Sequence, residues 1–243
     1  MAVVLVNKGE MREMEEWQPA KRKIKAIVTG ATGMVGEGVL MECLIHPDVE
    51  QVLVITRRPS GVAHPKLKEI IHKDFHDLTP IQHELIGYNA CYFCLGVSSI
   101  GMSEAEYTRV TYDLTMHVAR LLSSLNPDMV FCYVTGGGTD STEQGRSMWA
   151  RVKGRTENHL LQLPFRRAFM FRPGYMHPSK GQVRVPKWAK ALTWLYPILR
   201  PLFPNHLITL RQVGLAMIQT SYTDYDRHIL DPKDIIALAK EGS

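Results

Sequence analysis

The chain has 243 residues, 45% of them hydrophobic and 22% charged, with a formal net charge of +5. That balance fits a globular protein able to bury a sizeable core, and no internal repeat or low-complexity tract interrupts it. The basic residues are scattered, without a zinc-finger or RNA-binding signature, and no apolar run reaches the ~18 residues of a spanning helix, so neither nucleic acid nor a membrane interior is expected as a partner.

Residues 1–23 open on a short apolar stretch and continue with charges. They lack the apolar core and cleavage site of a secretion signal, and a flexible extension is expected. From Lys25 the pattern changes. KAIVTG reads as a buried strand, and GATGMVGEGVLMECL as a tight turn and a helix with Val39, Leu40, Cys43 and Leu44 along its apolar stripe. QVLVITR and LKEIIHKD read as the second and third strands. Thr79-Pro80-Ile81-Gln82 has capping-box spacing with proline at the first helical position, so a short helix is expected there. ACYFCLG reads as the fourth strand. Its Cys91 and Cys94 stand three apart, which puts their thiols on opposite faces rather than in a redox or zinc pair. Together with Cys43 and Cys132 they read as four reduced thiols, and a cytoplasmic location is expected.

Ser103 and Glu106 form a second capping box, heading a helix that runs to about Ser124. MVFCYVTGG is the fifth strand, SMWARVK opens a helix running to about Leu163, and RRAFMFRPG is the sixth strand. Beyond Gly174 the chain is rich in proline. Residues 175–208 are expected to form a small substrate or lid region, in which Trp188, Leu192 and Leu195 fall at helical spacing. Thr209 with Gln212, and Asp231 with Pro232, open the last two helices. His72 and His76 straddle a strand end, and no metal site is expected. Strands apolar on both faces alternate with helices. This predicts an α/β fold, a doubly wound parallel sheet in one domain over residues 24–243.

The stretch Thr29 to Gly36, TGATGMVG, lies between the first strand and the first helix. Gly30 permits the tight turn, Gly33 lets the backbone approach a pyrophosphate, and Gly36 lets the helix pack against the sheet. Thr32, Met34 and Val35 flank these glycines where the helix presents free N–H groups to phosphates. A site for NAD would usually carry a carboxylate about twenty residues further on, for the ribose 2′-hydroxyl. Here the second strand ends in Thr56-Arg57-Arg58, and two guanidiniums suit a 2′-phosphate. NADP(H) is therefore the expected cofactor. Asp74, ending the third strand, is placed to meet the adenine amino group. Leu95 and Gly96, ending the fourth, are placed along the adenosine ribose.

TGATGMVG resembles the TGxxGxxG of the short-chain dehydrogenase/reductase superfamily in its extended or atypical branch. The resemblance spans roughly Ile24 to Ile236. CLGVSS, RVKG and FRPG are similar to the epimerase-like subgroup that includes the human tumour suppressor binding the HIV Tat interactor. The resemblance implies a Rossmann fold and a catalytic Ser, Tyr and Lys, with Tyr and Lys in a YxxxK arrangement. Lys153 matches the lysine, which in the family binds the nicotinamide ribose and lowers the tyrosine pKa. The tyrosine position holds Trp149, whose indole N–H is only a hydrogen-bond donor. The serine position falls in Val134-Thr135-Gly136-Gly137, where Thr135 offers a hydroxyl. Tyr175 follows the sixth strand, directly after Arg172-Pro173-Gly174. Pro173 is expected to line the cofactor site, and Tyr175 is the candidate substitute acid.

Two functional expectations follow. In the first, the chain binds NADP(H) as a cofactor sensor or interaction protein, because the family's tyrosine is missing. In the second, it is an NADP(H)-dependent oxidoreductase of a small apolar carbonyl with a non-standard acid. An apolar small molecule or a protein partner, and a homodimer through the 188–203 stretch, complete the expected partners.

Overall fold

The structure is a computed structural model, described here for residues 22–186, 189, 193–194, 196–202 and 206–242. Most of the N-terminal extension, and Trp188, Leu192, Leu195 and Phe203 of the expected lid, lie outside the described residues.

The elements in chain order begin with β1 (Ile24–Thr29), α1 (Met34–Ile45), β2 (Val49–Thr56) and β3 (Leu67–Ile71). A 3-10 turn (Thr79–Leu85) leads to β4 (Ala90–Phe93). Next come α2 (Glu104–Thr108), a single π turn (Arg109–Asp113) and α3 (Leu114–Leu125), followed by β5 (Val130–Val134), α4 (Met148–Leu160) and β6 (Arg167–Phe171). The C-terminal part holds β7 (Tyr175–His177), α5 (Tyr196–Leu202), β8 (Leu207–Thr209), α6 (Leu210–Gln219), β9 (Ile229–Leu230) and α7 (Pro232–Glu241).

Seven strands form one sheet in the order β3-β2-β1-β4-β5-β6-β9, every pairing parallel. The chain winds outward from β1 through β2 to β3, then returns to β4 and winds the other way. This is the doubly wound, Rossmann-like α/β fold, with its switch point between β1 and β4. Alternate strand residues supply two cores. Ala26, Val28, Val52 and Val54 pack under α1, α6 and α7, while Ile27, Leu53, Phe93 and Phe131 pack under α3. Cys91 belongs to the second core and Cys94 packs against the first, so the two thiols do face opposite ways.

Helix α1 is buried along most of its length because the sheet and α6 cover it from two sides. Glycines allow that contact: a β-carbon at Gly38 would lie 2.8 Å from Leu210 Cβ, and one at Gly214 would lie 2.7 Å from Glu42 Cγ.

The capping boxes at Ser103/Glu106 and Thr209/Gln212 form, each with both reciprocal hydrogen bonds. A third closes between Asp231 and Asp234. Thr79 does not cap. Its amide donates to Asp77 Oδ1 at 3.0 Å, so the preceding aspartate turns the chain and the segment winds as a 3-10 turn from Leu78. The helix after Ser103 is interrupted by the π turn, and α4 stops at Leu160 rather than near Leu163. Strands β7 and β8 pair in parallel as a separate two-stranded sheet, in a stretch where prolines and short length hide any period-2 pattern. Among the described residues no helix is long and apolar enough to cross a membrane.

Candidate functional site

The C-terminal ends of the central strands open at the switch point, and there the glycine turn sits. Gly30 has φ +70°, and a β-carbon on it would lie 2.6 Å from the Cys94 carbonyl oxygen. The turn is therefore pressed against the end of β4. A β-carbon at Gly36 would lie 2.2 Å from the Gly30 oxygen, so the start of α1 packs directly on the turn. Gly33 differs: a β-carbon there would meet only the Gly30 oxygen, at an ordinary 3.4 Å. The protein's own packing does not demand glycine at 33, whereas a phosphate group lying on the helix N-terminus would. Gly33 is also the N-cap and has no side chain to cap α1, which leaves the first-turn amides at Met34 and Val35 for an external acceptor. Thr32 is half-buried in the turn between them.

On the β2–β3 side a cavity of about 280 Å³ lies beside the turn. Arg57, Asp74, Leu95 and Gly96, all expected from sequence, line it together, with Phe75, Val97 and Val110 as apolar walls. A β-carbon at Gly96 would meet nothing within 4 Å, so the end of β4 faces open space. Arg57 and Arg58 are both exposed; the Thr56 hydroxyl donates to the Arg58 carbonyl at 2.8 Å and sets the bend that presents them. Asp74 Oδ1 accepts from the His76 amide at 2.9 Å. A slot with apolar walls, rimmed by the Asp74 carboxylate and the Arg57 guanidinium and next to an uncapped helix N-terminus, fits an adenosine phosphate.

Across the switch point lies a second group of residues. Lys153 Nζ donates to the Thr135 carbonyl at 2.6 Å. Burial lowers the Lys153 pKa to about 8, against the pull of Glu157 one turn further along α4. Glu157 is fully buried. Its carboxylate accepts the Thr135 hydroxyl at 2.6 Å and two guanidinium nitrogens of Arg172, Nε at 3.1 Å and Nη2 closer. The Thr135 hydroxyl thus points inward, at Glu157 and at the Phe171 carbonyl 3.1 Å away, rather than into the cleft as a serine substitute would. A buried carboxylate needs every donor within reach, and that need turns the threonine. Pro173 is tied to the loop after β5, its carbonyl accepting from the Gly137 amide at 2.8 Å.

Trp149 lies one turn before Lys153 on α4. Its ring edge would meet a β-carbon at Gly138 at 3.5 Å, and Gly138 has φ +88°. The indole therefore leans on the glycine loop after β5. Tyr175 starts β7, and its hydroxyl is buried with no hydrogen-bond partner among the described residues. Burial raises its pKa, which keeps the phenol protonated. Sequence reasoning missed Glu157 and Arg172. Glu157 stands four residues after Lys153, a spacing visible in the sequence, but its burial is not. His177 was also missed; it stacks on Tyr196 with ring centroids 3.8 Å apart, and burial lowers its pKa.

Comparison with known proteins agrees with this architecture. A curated relative, "Protein FMP52-1, mitochondrial" of Scheffersomyces stipitis, is 24% identical over 164 residues, which are 65% of this chain and 71% of that protein. Among solved structures, the Bordetella bronchiseptica enzyme WbmG in complex with NAD superposes with a TM-score of 0.63 at 11% identity, over 92% of this chain and 79% of that one. A short chain dehydrogenase from Burkholderia cenocepacia in complex with NADP gives 0.59 at 15% identity, over 90% and 91%. These likenesses establish the fold. The cytoplasmic location expected from the free thiols is overturned by the fungal relatives, which are named mitochondrial. Cysteines without a disulfide partner do not distinguish one compartment from another. The sequence profile of the NAD dependent epimerase/dehydratase family matches residues 26–160, and the chain belongs to that family.

Proposed function

We propose that the chain binds a nicotinamide dinucleotide along the C-terminal edge of its sheet, prefers NADP(H), and acts as a cofactor sensor or interaction protein. In this reading Gly33 and the first turn of α1 hold the pyrophosphate. The cavity at Arg57, Asp74, Leu95 and Gly96 takes the adenosine, with Arg57 and Arg58 toward a 2′-phosphate. Lys153 holds the nicotinamide ribose, and Pro173 and Val134 to Gly137 border it. Bound, the nicotinamide would supply or accept a hydride. The observation that carries the sensor reading is Trp149. An indole occupies the place of the family's proton donor, while Lys153 beside it is kept. The names of its relatives support a mitochondrial location.

The buried, unpartnered hydroxyl of Tyr175 favours a second reading, an NADP(H)-dependent reductase of a small apolar carbonyl with Tyr175 as the acid. One experiment separates the two. NADPH binding is measured by calorimetry, and NADPH oxidation is followed across a carbonyl panel, for the unmodified protein, Trp149→Phe and Tyr175→Phe. The sensor reading expects NADPH to bind more tightly than NADH, with affinity within a few-fold in Trp149→Phe and no turnover by any form. Robust turnover that falls about 10²-fold in Tyr175→Phe would replace it with the reductase reading. Failure to bind either dinucleotide would defeat both.

A further inference from the structure

Residues 179–184, after β7, cross the start of α1 as a strap. The Gln182 side chain donates to the Met34 carbonyl at 2.7 Å, in the first turn of the helix. The carboxylate of Glu37, one turn further, accepts the Val183 amide at 3.0 Å and the Arg184 amide at 2.7 Å. Glu37 is only 7% exposed, so a buried charge is matched with backbone donors from a segment about 147 residues away in sequence. Gly38 gives the strap room: a β-carbon there would lie 3.4 Å from Gln182 Nε2. From this anchor the exposed Arg184 reaches across to the loop after β2, where its Nη2 donates to the Ser60 carbonyl at 3.2 Å. Ser60 is two residues beyond Arg58.

We infer that Arg184 is a third guanidinium for the 2′-phosphate of the cofactor, and that Glu37 is the positioning residue that delivers it. This rests on the dinucleotide reading above. The first turn of α1 and the end of β2 form the two walls between which the adenosine ribose would lie, and the strap bridges them. Arg184 needs only to exchange its bond to the Ser60 carbonyl for one to a phosphate, which is the better acceptor because it is charged. Tertiary structure thus adds a residue from beyond β6 to a specificity determinant that the sequence places wholly at Arg57 and Arg58.

The test is calorimetry with NADPH, NADH and adenosine 2′,5′-bisphosphate on the full chain, Arg184→Ala, Arg184→Lys and Glu37→Gln. Arg184→Ala is expected to weaken NADPH and the bisphosphate about tenfold while leaving NADH within about twofold, with partial recovery in Arg184→Lys. Glu37→Gln is expected to lower the NADPH-to-NADH preference as well, and Arg184→Ala should add little in that background because the two act as one unit. A purely structural role for Glu37 would weaken both dinucleotides alike. If the unmodified protein prefers NADPH and Arg184→Ala keeps that preference, or loses both dinucleotides equally, the inference fails while the dinucleotide reading stands. If the unmodified protein shows no preference for NADPH, the 2′-phosphate reading fails and this inference goes with it.

Discussion

A β-carbon at Gly33 would touch nothing closer than 3.4 Å, so the fold tolerates a side chain where the proposed pyrophosphate would not. Gly33→Val is expected to stay folded by circular dichroism and to lose NADPH binding in calorimetry. A folded variant with normal affinity would show that the turn does not carry phosphates. Lys153 allows a pH prediction. Burial lowers its pKa from 10.5 to about 8, so between those values the unfolded chain binds more protons than the folded one. Its contribution to stability therefore rises with pH across that window and is complete above 10.5. Cofactor affinity should run the other way. The contact to the ribose, near an anionic pyrophosphate, is strongest for the ammonium form, so NADPH binding is expected to weaken as pH climbs through about 8. Lys153→Met should bind more weakly at neutral pH and give a flat profile; an unchanged slope in that variant would assign the titration elsewhere.

Between elements, α4 is held by two devices. The Glu157–Arg172 pair ties it to the end of β6 from inside. Gly154 lets it pack on the loop after β5, for a β-carbon there would lie 1.7 Å from the Asp140 carbonyl oxygen. Neither the helix nor that loop can give without disturbing the other, since the Asp140 amide donates back to the Ala150 carbonyl at 3.1 Å. Gly154→Ala, although favourable to helix propensity, is therefore expected to destabilise the protein by about 1–3 kcal/mol, read as a lower urea midpoint. A neutral or stabilised variant would mean that α4 is free to shift. Because Lys153 precedes this glycine, any shift of α4 also moves the proposed ribose ligand, and NADPH affinity should fall in the same variant.

For the whole molecule, the doubly wound sheet opens a crevice at one edge, between β1 and β4, and strands on either side bring the two halves of the candidate site to it. Much of this was legible in the sequence. Apolar runs alternating with helical periodicity gave the six main parallel strands. The three glycines marked the tight turn at the first strand–helix junction, and the four-residue step from Trp149 to Lys153 placed both on one face of a helix. These features depend on residues close together in the chain, where backbone geometry and side-chain period act directly. The small β7–β8 sheet and β9 were not legible, because strands of two or three residues carry no period. The inward turn of the Thr135 hydroxyl was not legible either, since it answers to a carboxylate 22 residues away that only packing makes buried. Nor was the strap that ties Arg184 to Glu37 across 147 residues. The sequence by itself determined the fold class and the place of the glycine turn, because local periodicity and glycine geometry suffice for those. Tertiary structure alone decided which charges are buried and what satisfies them, because the desolvation of a carboxylate such as Glu37 or Glu157 exists only after distant segments have closed over it.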